Sequence, residues 1–183
     1  MTTPGRLMDQ HHRPLGVLRL SLTARCNLSC PYCQPDGGED TRLALHQRLQ
    51  LIRACCALGL TTLRLTGGEP LLAPELDELL LAIQQGRNSR HDPLQQLQEG
   101  ALTTNGTRLH GCRAEQLKRA GLDRITISLD GATGASVSRM TGLQGGERHG
   151  EQMLQRVLQG IAAAKAAGFQ SESGAIKLNS VIQ

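Results

Sequence analysis

The sequence predicts an α/β protein whose parallel sheet curves into a partial barrel. Three observations carry this. Segments of strand period and helix period alternate along the chain, five of the first and four of the second. A β-α-β-α order implies parallel strands joined by right-handed crossovers. Most strands have one apolar and one polar face, whereas strands of a flat parallel sheet, buried on both sides, read as continuous apolar runs. A polar face turned inward suits a barrel that holds a polar ligand. A flat sheet with its second face in water, or covered by another chain, is the alternative. The densest chemistry, three cysteines within eight residues, follows the first strand, at a strand end where α/β proteins place their sites.

Residues 1–16 are polar and read as a flexible lead-in; residues 17–183 read as one domain. In 17–23, Leu18, Leu20 and Leu22 alternate with Arg19, Ser21 and Thr23, giving the first strand. Residues 43–58 have helix period and stop at Gly59, a plausible end cap. The second strand, 61–66, sets Leu63 and Leu65 against Arg64 and Thr66 and runs into Gly67-Gly68-Glu69-Pro70. Pro74 opens a helix with Glu75, Asp77 and Glu78 in its first turn. Residues 86–99 read as a loop, 100–105 as the third strand, and 112–120 as a short helix closed by Gly121. The fourth strand, 124–130, alternates Ile125, Ile127 and Leu129 with Thr126, Ser128 and Asp130. A glycine-rich loop is predicted over 131–150, a strong helix over 153–167, and a fifth strand over 176–182 carrying Lys177 and Asn179 on its polar side.

Composition narrows the classes of function. Tyr32 and Phe169 are the only aromatics, which argues against a nucleic-acid binder built on base stacking. The net charge of +4 is mild and compatible with a small anionic substrate. The first 14 residues lack the apolar core of a signal peptide, and no apolar run is long enough to span a membrane. A reducing, cytoplasmic location is therefore expected, where clustered cysteines are more often metal ligands than disulfides. Cys55, Cys56 and Cys112 read as packing residues.

Cys26-Asn27-Leu28-Ser29-Cys30-Pro31-Tyr32-Cys33 has the spacing C-x3-C-x2-C. Three thiolates are one too few for a closed tetrahedral zinc site, and no histidine stands near in sequence. They suit a cubane cluster with three irons held by protein and one left open. A disulfide pair with a spare thiol, or an incomplete zinc knuckle, are the plainer readings.

With an aromatic just before its last cysteine, this loop resembles that of the radical S-adenosyl-L-methionine (SAM) superfamily. Further stretches resemble one family within it, the GTP 3′,8-cyclases (molybdenum cofactor biosynthesis protein A). These are Leu18-Arg19-Leu20-Ser21-Leu22-Thr23, Leu63-Arg64-Leu65-Thr66-Gly67-Gly68-Glu69-Pro70-Leu71, Thr103-Thr104-Asn105-Gly106, Ile125-Thr126-Ile127-Ser128-Leu129-Asp130, Met140-Thr141-Gly142 and Ile176-Lys177-Leu178-Asn179-Ser180-Val181. The resemblance implies a (β/α) barrel of the radical SAM type and a [4Fe-4S] cluster on Cys26, Cys30 and Cys33. It implies SAM contacts from the Tyr32 backbone, Gly68 and Ser128, with Gly67-Gly68 letting the backbone approach the ligand. It implies GTP contacts from Arg19, Arg64, Thr103 and Lys177. The implied reaction, of the lyase class, converts GTP to (8S)-3′,8-cyclo-7,8-dihydroguanosine 5′-triphosphate. An electron donor such as flavodoxin or ferredoxin would serve it. The product would pass to cyclic pyranopterin monophosphate synthase.

The likeness covers the family's N-terminal half. By it, the barrel stops after the fifth strand, and the C-terminal domain with a second iron–sulfur cluster is absent. Weak or absent activity of this chain alone is expected, with a homodimer or a completing chain as ways to fill the barrel. The pattern departs at Ala24, where an Asp is usual, and at Ala73, where an Arg is frequent. Two other readings stay open: a different radical SAM enzyme such as a peptide maturase, and a non-catalytic remnant that binds a cluster or nucleotide.

Overall fold

A computed structural model of the chain describes residues 7–33, 42–142 and 144–181. Five parallel strands form one sheet in the order β1-β2-β3-β4-β5: Val17–Ser21, Thr62–Thr66, Glu99–Thr104, Arg124–Ser128 and Ile176–Asn179. Helices α1 (Leu45–Ala57), α2 (Leu76–Arg87), α3 (Gly111–Arg119), α4 (Gly134–Thr141) and α5 (Gly146–Ala166) connect them, giving the expected partial barrel. Strand order follows chain order, so each strand pairs with the next one in the chain. β1 and β5 are its edges.

The alternation predicted for the strands is observed. Leu63, Leu65, Leu102, Ile125 and Ile127 are fully buried on the outer face, packed with Ile52, Leu76, Leu79 and Leu117 of the helices. Each such side chain contributes about 1.5–3 kcal/mol by leaving water. Arg64, Thr66, Thr126 and Ser128 on the other face stay half-buried. β5 is less covered, and Leu178 on its apolar side is 58% exposed.

Residues 7–16, expected to be a loose lead-in, pair Met8 with Pro14 and dock on the far end of α1 through Leu7 N–H to the Leu58 carbonyl at 3.3 Å. Residues 34–41, in the connection to α1, lie outside the described residues, as do 1–6, 143 and 182–183, so that the fifth predicted strand lacks only its last residue. Among the described residues, no helix is long and apolar enough to cross a membrane.

The largest departure falls in 131–150, predicted as a glycine-rich loop. It holds a helix, α4, and the start of α5. Glycines at both ends hid α4 by their poor helix propensity. A capping box starts it, with Thr133 Oγ1 accepting from Ser136 N–H at 3.2 Å and Ser136 Oγ from Thr133 N–H at 3.1 Å. Left-handed Gly142, φ 66°, ends it. Two smaller departures sit around the predicted loop at 86–99. α2 runs through Gly86 to Arg87, and a 3₁₀ turn, Pro93–Gln96, starts on an Asp92 side-chain cap. Cys112, read as packing, is exposed at the start of α3; Cys56 is fully buried as expected.

α4 and α5 touch backbone to backbone at Gly134 and Gly150. A Cβ on Gly150 would collide with the Gly134 carbonyl oxygen and stand 2.8 Å from Ser138 N. Gly150→Ala gains up to about 1 kcal/mol of helix propensity. The clash is with main chain that cannot turn aside, and overpacking of this kind costs about 1–3 kcal/mol. Gly150→Ala is therefore expected to lower the thermal unfolding midpoint, read by circular dichroism.

Candidate active site

The cysteine loop leaves β1 along a path fixed by the turn after β2. Leu22 N–H donates to the Thr66 carbonyl at 2.9 Å, Gly68 N–H to Thr23 at 2.7 Å, and Glu69 N–H to Arg25 at 2.8 Å. Only glycine fits this approach. A Cβ at Gly67, where φ is 146°, would lie 2.5 Å from the Thr23 carbonyl oxygen, and one at Gly68 would lie 2.7 Å from that of Ala24 and closer still to that of Arg25. The glycine pair expected to admit a ligand thus first admits the backbone that carries Cys26. Arg48 of α1, only 1% exposed, adds a hydrogen bond of 3.0 Å to the Leu22 carbonyl.

Glu69 follows that turn and is fully buried. Its Oε1 accepts from Leu71 N–H at 3.0 Å and Thr104 Oγ1–H at 2.7 Å; its Oε2 accepts from Asn105 N–H at 2.8 Å. Burial pushes its carboxyl above the usual carboxylate range, and the hydrogen bonds oppose that rise. Asn105 in turn donates to Asn27 Oδ1 at 3.0 Å, and Asn27 to Thr107 Oγ1 at 2.9 Å. The ends of β2 and β3 are so joined to the cysteine loop.

The far side of the loop is tied as well. Tyr32 Oη–H donates to Asp130 Oδ2, while Asp130 Oδ1 accepts from Val181 N–H at 2.9 Å. Burial, then the bond to Asp130, raise the Tyr32 hydroxyl's pKa, so it stays a donor. Ser29 N–H donates to the α4 carbonyl of Thr141 at 3.2 Å, and Leu28 packs on Val137, Met153 and Leu154.

Cys26, Cys30 and Cys33 line one cavity, at the C-terminal ends of the strands. Tyr32, Gly68 and Ser128 line it too. Burial pushes the thiols of Cys26 and Cys30 up. Among the described residues, no three His, Cys, Asp or Glu gather closely enough to share a single metal ion. Three thiols that line one cavity can each hold one iron of a cubane cluster. The soft donor set fits such a cluster.

A second cavity adjoins it deeper in the barrel. Arg19, Arg64, Thr103 and Lys177 line it, so the sequence-predicted cations and threonine are brought together. The two cavities share Thr66, Thr103 and Asn179 as a common wall. Arg19 and Arg64 stand directly opposite each other on β1 and β2. Like charges so placed repel. Arg64 Nε is buried without a hydrogen-bond partner among the described residues. Sequence reasoning missed Arg124, which also lines this cavity, and Glu69, Asn105 and Asp130 around the first. For Arg124 the signal was present, since it shares the parity of Thr126 and Ser128. Nothing in the sequence marked Glu69 as buried.

The structure is a parallel α/β partial barrel with a three-thiol loop at its mouth and a cation-lined cavity beside it. The chain belongs to the radical SAM superfamily, whose family model matches residues 20–181. It is 58% identical over 184 residues to a GTP 3′,8-cyclase of Synechococcus sp. (strain CC9902), covering 100% of this chain and 52% of that relative. It is 41% identical to a GTP 3′,8-cyclase of Xanthomonas axonopodis pv. citri (strain 306), covering 100% of this chain and 51% of that one. The chain thus spans about half the length of these curated relatives. In fold it is similar to HydG, a maturase of the [FeFe]-hydrogenase, with TM-score 0.68, 14% identity, and coverage of 90% of this chain and 35% of that one. It is also similar to native anSMEcpe with bound AdoMet, with TM-score 0.63, 20% identity, and coverage of 91% and 43%.

Glu69→Gln tests the junction. Every acceptor oxygen of Glu69 meets a donor, so an amide nitrogen must face an N–H or O–H. The expected cost is about 1–3 kcal/mol, read as a lower urea midpoint with an unchanged slope.

Proposed function

We propose that this chain is the radical SAM core of a GTP 3′,8-cyclase, converting GTP to (8S)-3′,8-cyclo-7,8-dihydroguanosine 5′-triphosphate. In this reading Cys26, Cys30 and Cys33 hold a [4Fe-4S] cluster, and the Tyr32 backbone, Gly68 and Ser128 contact SAM. Arg19, Arg64, Thr103 and Lys177 hold GTP. The observation that carries it is the pair of adjoining cavities, one with three thiols and one with arginines and a lysine, sharing the wall of Thr66, Thr103 and Asn179.

A cluster on Cys26, Cys30 and Cys33, with SAM beside Gly68 and Ser128, would supply radical chemistry at the ribose of GTP. The chain's own residues do the rest. Asn27, Asn105 and Thr107 hold the cysteine loop against β3, and the Asp130 bond holds Tyr32. The cations fix the polyphosphate, which sets the ribose beside the shared wall and within reach of the first cavity. Positioning of this kind replaces acid–base chemistry. A cation-lined interior favours a nucleotide over the peptide of a maturase. A donor such as flavodoxin or ferredoxin would supply the electron, and cyclic pyranopterin monophosphate synthase would consume the product.

Anaerobic reconstitution with iron and sulfide is expected to load about four irons per chain, and Cys30→Ser is expected to abolish this. Fewer than two irons, or equal loading of the variant, counts against the cluster assignment.

With SAM and a reductant, the loaded chain is expected to release 5′-deoxyadenosine, faster with GTP present. Lys177→Gln is expected to remove the GTP effect and leave the basal release. A GTP effect that survives the substitution refutes the role of Lys177, and iron loading without any SAM cleavage favours the non-catalytic remnant.

A further inference from the structure

We propose that Arg124, steered by Glu99, is a further substrate-binding residue, and that it contacts the terminal phosphoryl group of a nucleoside triphosphate. This rests on the nucleotide reading above and adds to it a way of telling tri- from diphosphate.

The register sets the geometry. Arg19 pairs with Arg64, Arg64 with Ala101, and Ala101 with Arg124. Three arginines therefore lie on one rung of the sheet, with a methyl group as the only side chain between two of them. Strands lie about 4.8 Å apart, so the Arg64 and Arg124 backbones are roughly 10 Å apart across Ala101. Ala101 leaves a dent there, and the cavity fills it. Thr103, Thr126 and Lys177 form the next rung, and Ser128 and Asn179 the one above. Ser128 belongs to the cysteine cavity. Arg124 precedes it by four residues, about 13 Å along the strand. A nucleotide whose ribose sits at the shared wall points the far end of its phosphate chain at Arg124.

The charges agree with this. The cavity is lined by Arg19, Arg64, Arg124 and Lys177, and none of the described residues lining it is a carboxylate. Glu99, at the base of β3, takes Arg124 Nη2 at 2.5 Å. That contact uses one edge of the guanidinium and fixes the side chain's direction. Nε stays buried without a partner among the described residues, as does that of Arg64. Buried guanidinium nitrogens are costly to leave unsatisfied. Two of them flanking an alanine dent, beside a third arginine, require an anion with several charges spread over several ångströms. A phosphate chain has that form.

The test measures equilibrium binding of GTP, GDP and guanosine to the full chain by calorimetry, with circular dichroism as a check on folding. The wild-type chain is expected to prefer GTP over GDP. Arg124→Gln is expected to weaken GTP about tenfold or more and GDP less than about threefold, so that the preference collapses; Arg124→Lys recovers part of it. Glu99→Ala is expected to lower the GTP preference about threefold or more and to leave guanosine binding unchanged, because the guanidinium loses the contact that aims it. This variant decides the matter should Arg124→Gln fail to fold. Equal weakening of GTP, GDP and guanosine by Arg124→Gln would make Arg124 a structural residue and overturn the proposal. A GTP preference left whole in Glu99→Ala would overturn the proposal too. An unchanged GTP preference in Arg124→Gln overturns the proposal and leaves the nucleotide reading intact. A wild-type chain that binds none of the three overturns both.

Discussion

The site depends on one main-chain junction. Three hydrogen bonds join residues 22–25 to the turn 66–69, so the segment before Cys26 is held as an extension of the sheet. The two glycines allow that contact, and the buried Glu69 carboxylate passes it on to β3 through Thr104 and Asn105. A thiol-bearing loop on its own would be free to wander. Here its entry is set by main chain that is also the end of two strands. The sulfurs therefore inherit the rigidity of the barrel, which is what a site on a loop needs to be exact about distance.

The barrel divides its interior by height. Near the strand ends stand sulfur, amide and hydroxyl groups; lower down stand guanidinium and ammonium groups. Thr66, Thr103 and Asn179 separate the two levels with small, neutral side chains. A single ligand can lie across this boundary with its charged end below and its sugar above. The helices contribute little to the chemistry. α1, α2, α3 and the second half of α5 bury the outer face, while α4 and the first half of α5 close the side of the cysteine loop through Leu28.

Much of this was legible because strand parity is a strict rule. One polar residue at every second position assigns Arg19, Arg64, Thr126 and Lys177 to the inner face, and the strand register agrees. The cysteine spacing was equally plain. What parity does not reveal is the third dimension. Glu69 reads as an ordinary turn acid, and its burial follows only from how β3 closes over it. Arg48 reads as one more charged residue in an amphipathic helix, yet it is almost wholly enclosed. α4 was hidden because its glycines, needed for contact with Glu151 and Ser29, look like loop residues in a string of letters. Its Thr133 and Ser136 cap was present in the sequence and was outweighed by the glycines.

The row of arginines has a consequence for the empty protein. Arg19 and Arg64, set shoulder to shoulder, push against each other until a counter-ion arrives, so the barrel without its ligand carries a repulsion that the ligand relieves. Inorganic polyanions in a buffer share that chemistry. The apparent robustness of this chain is then partly a property of the solution it is kept in.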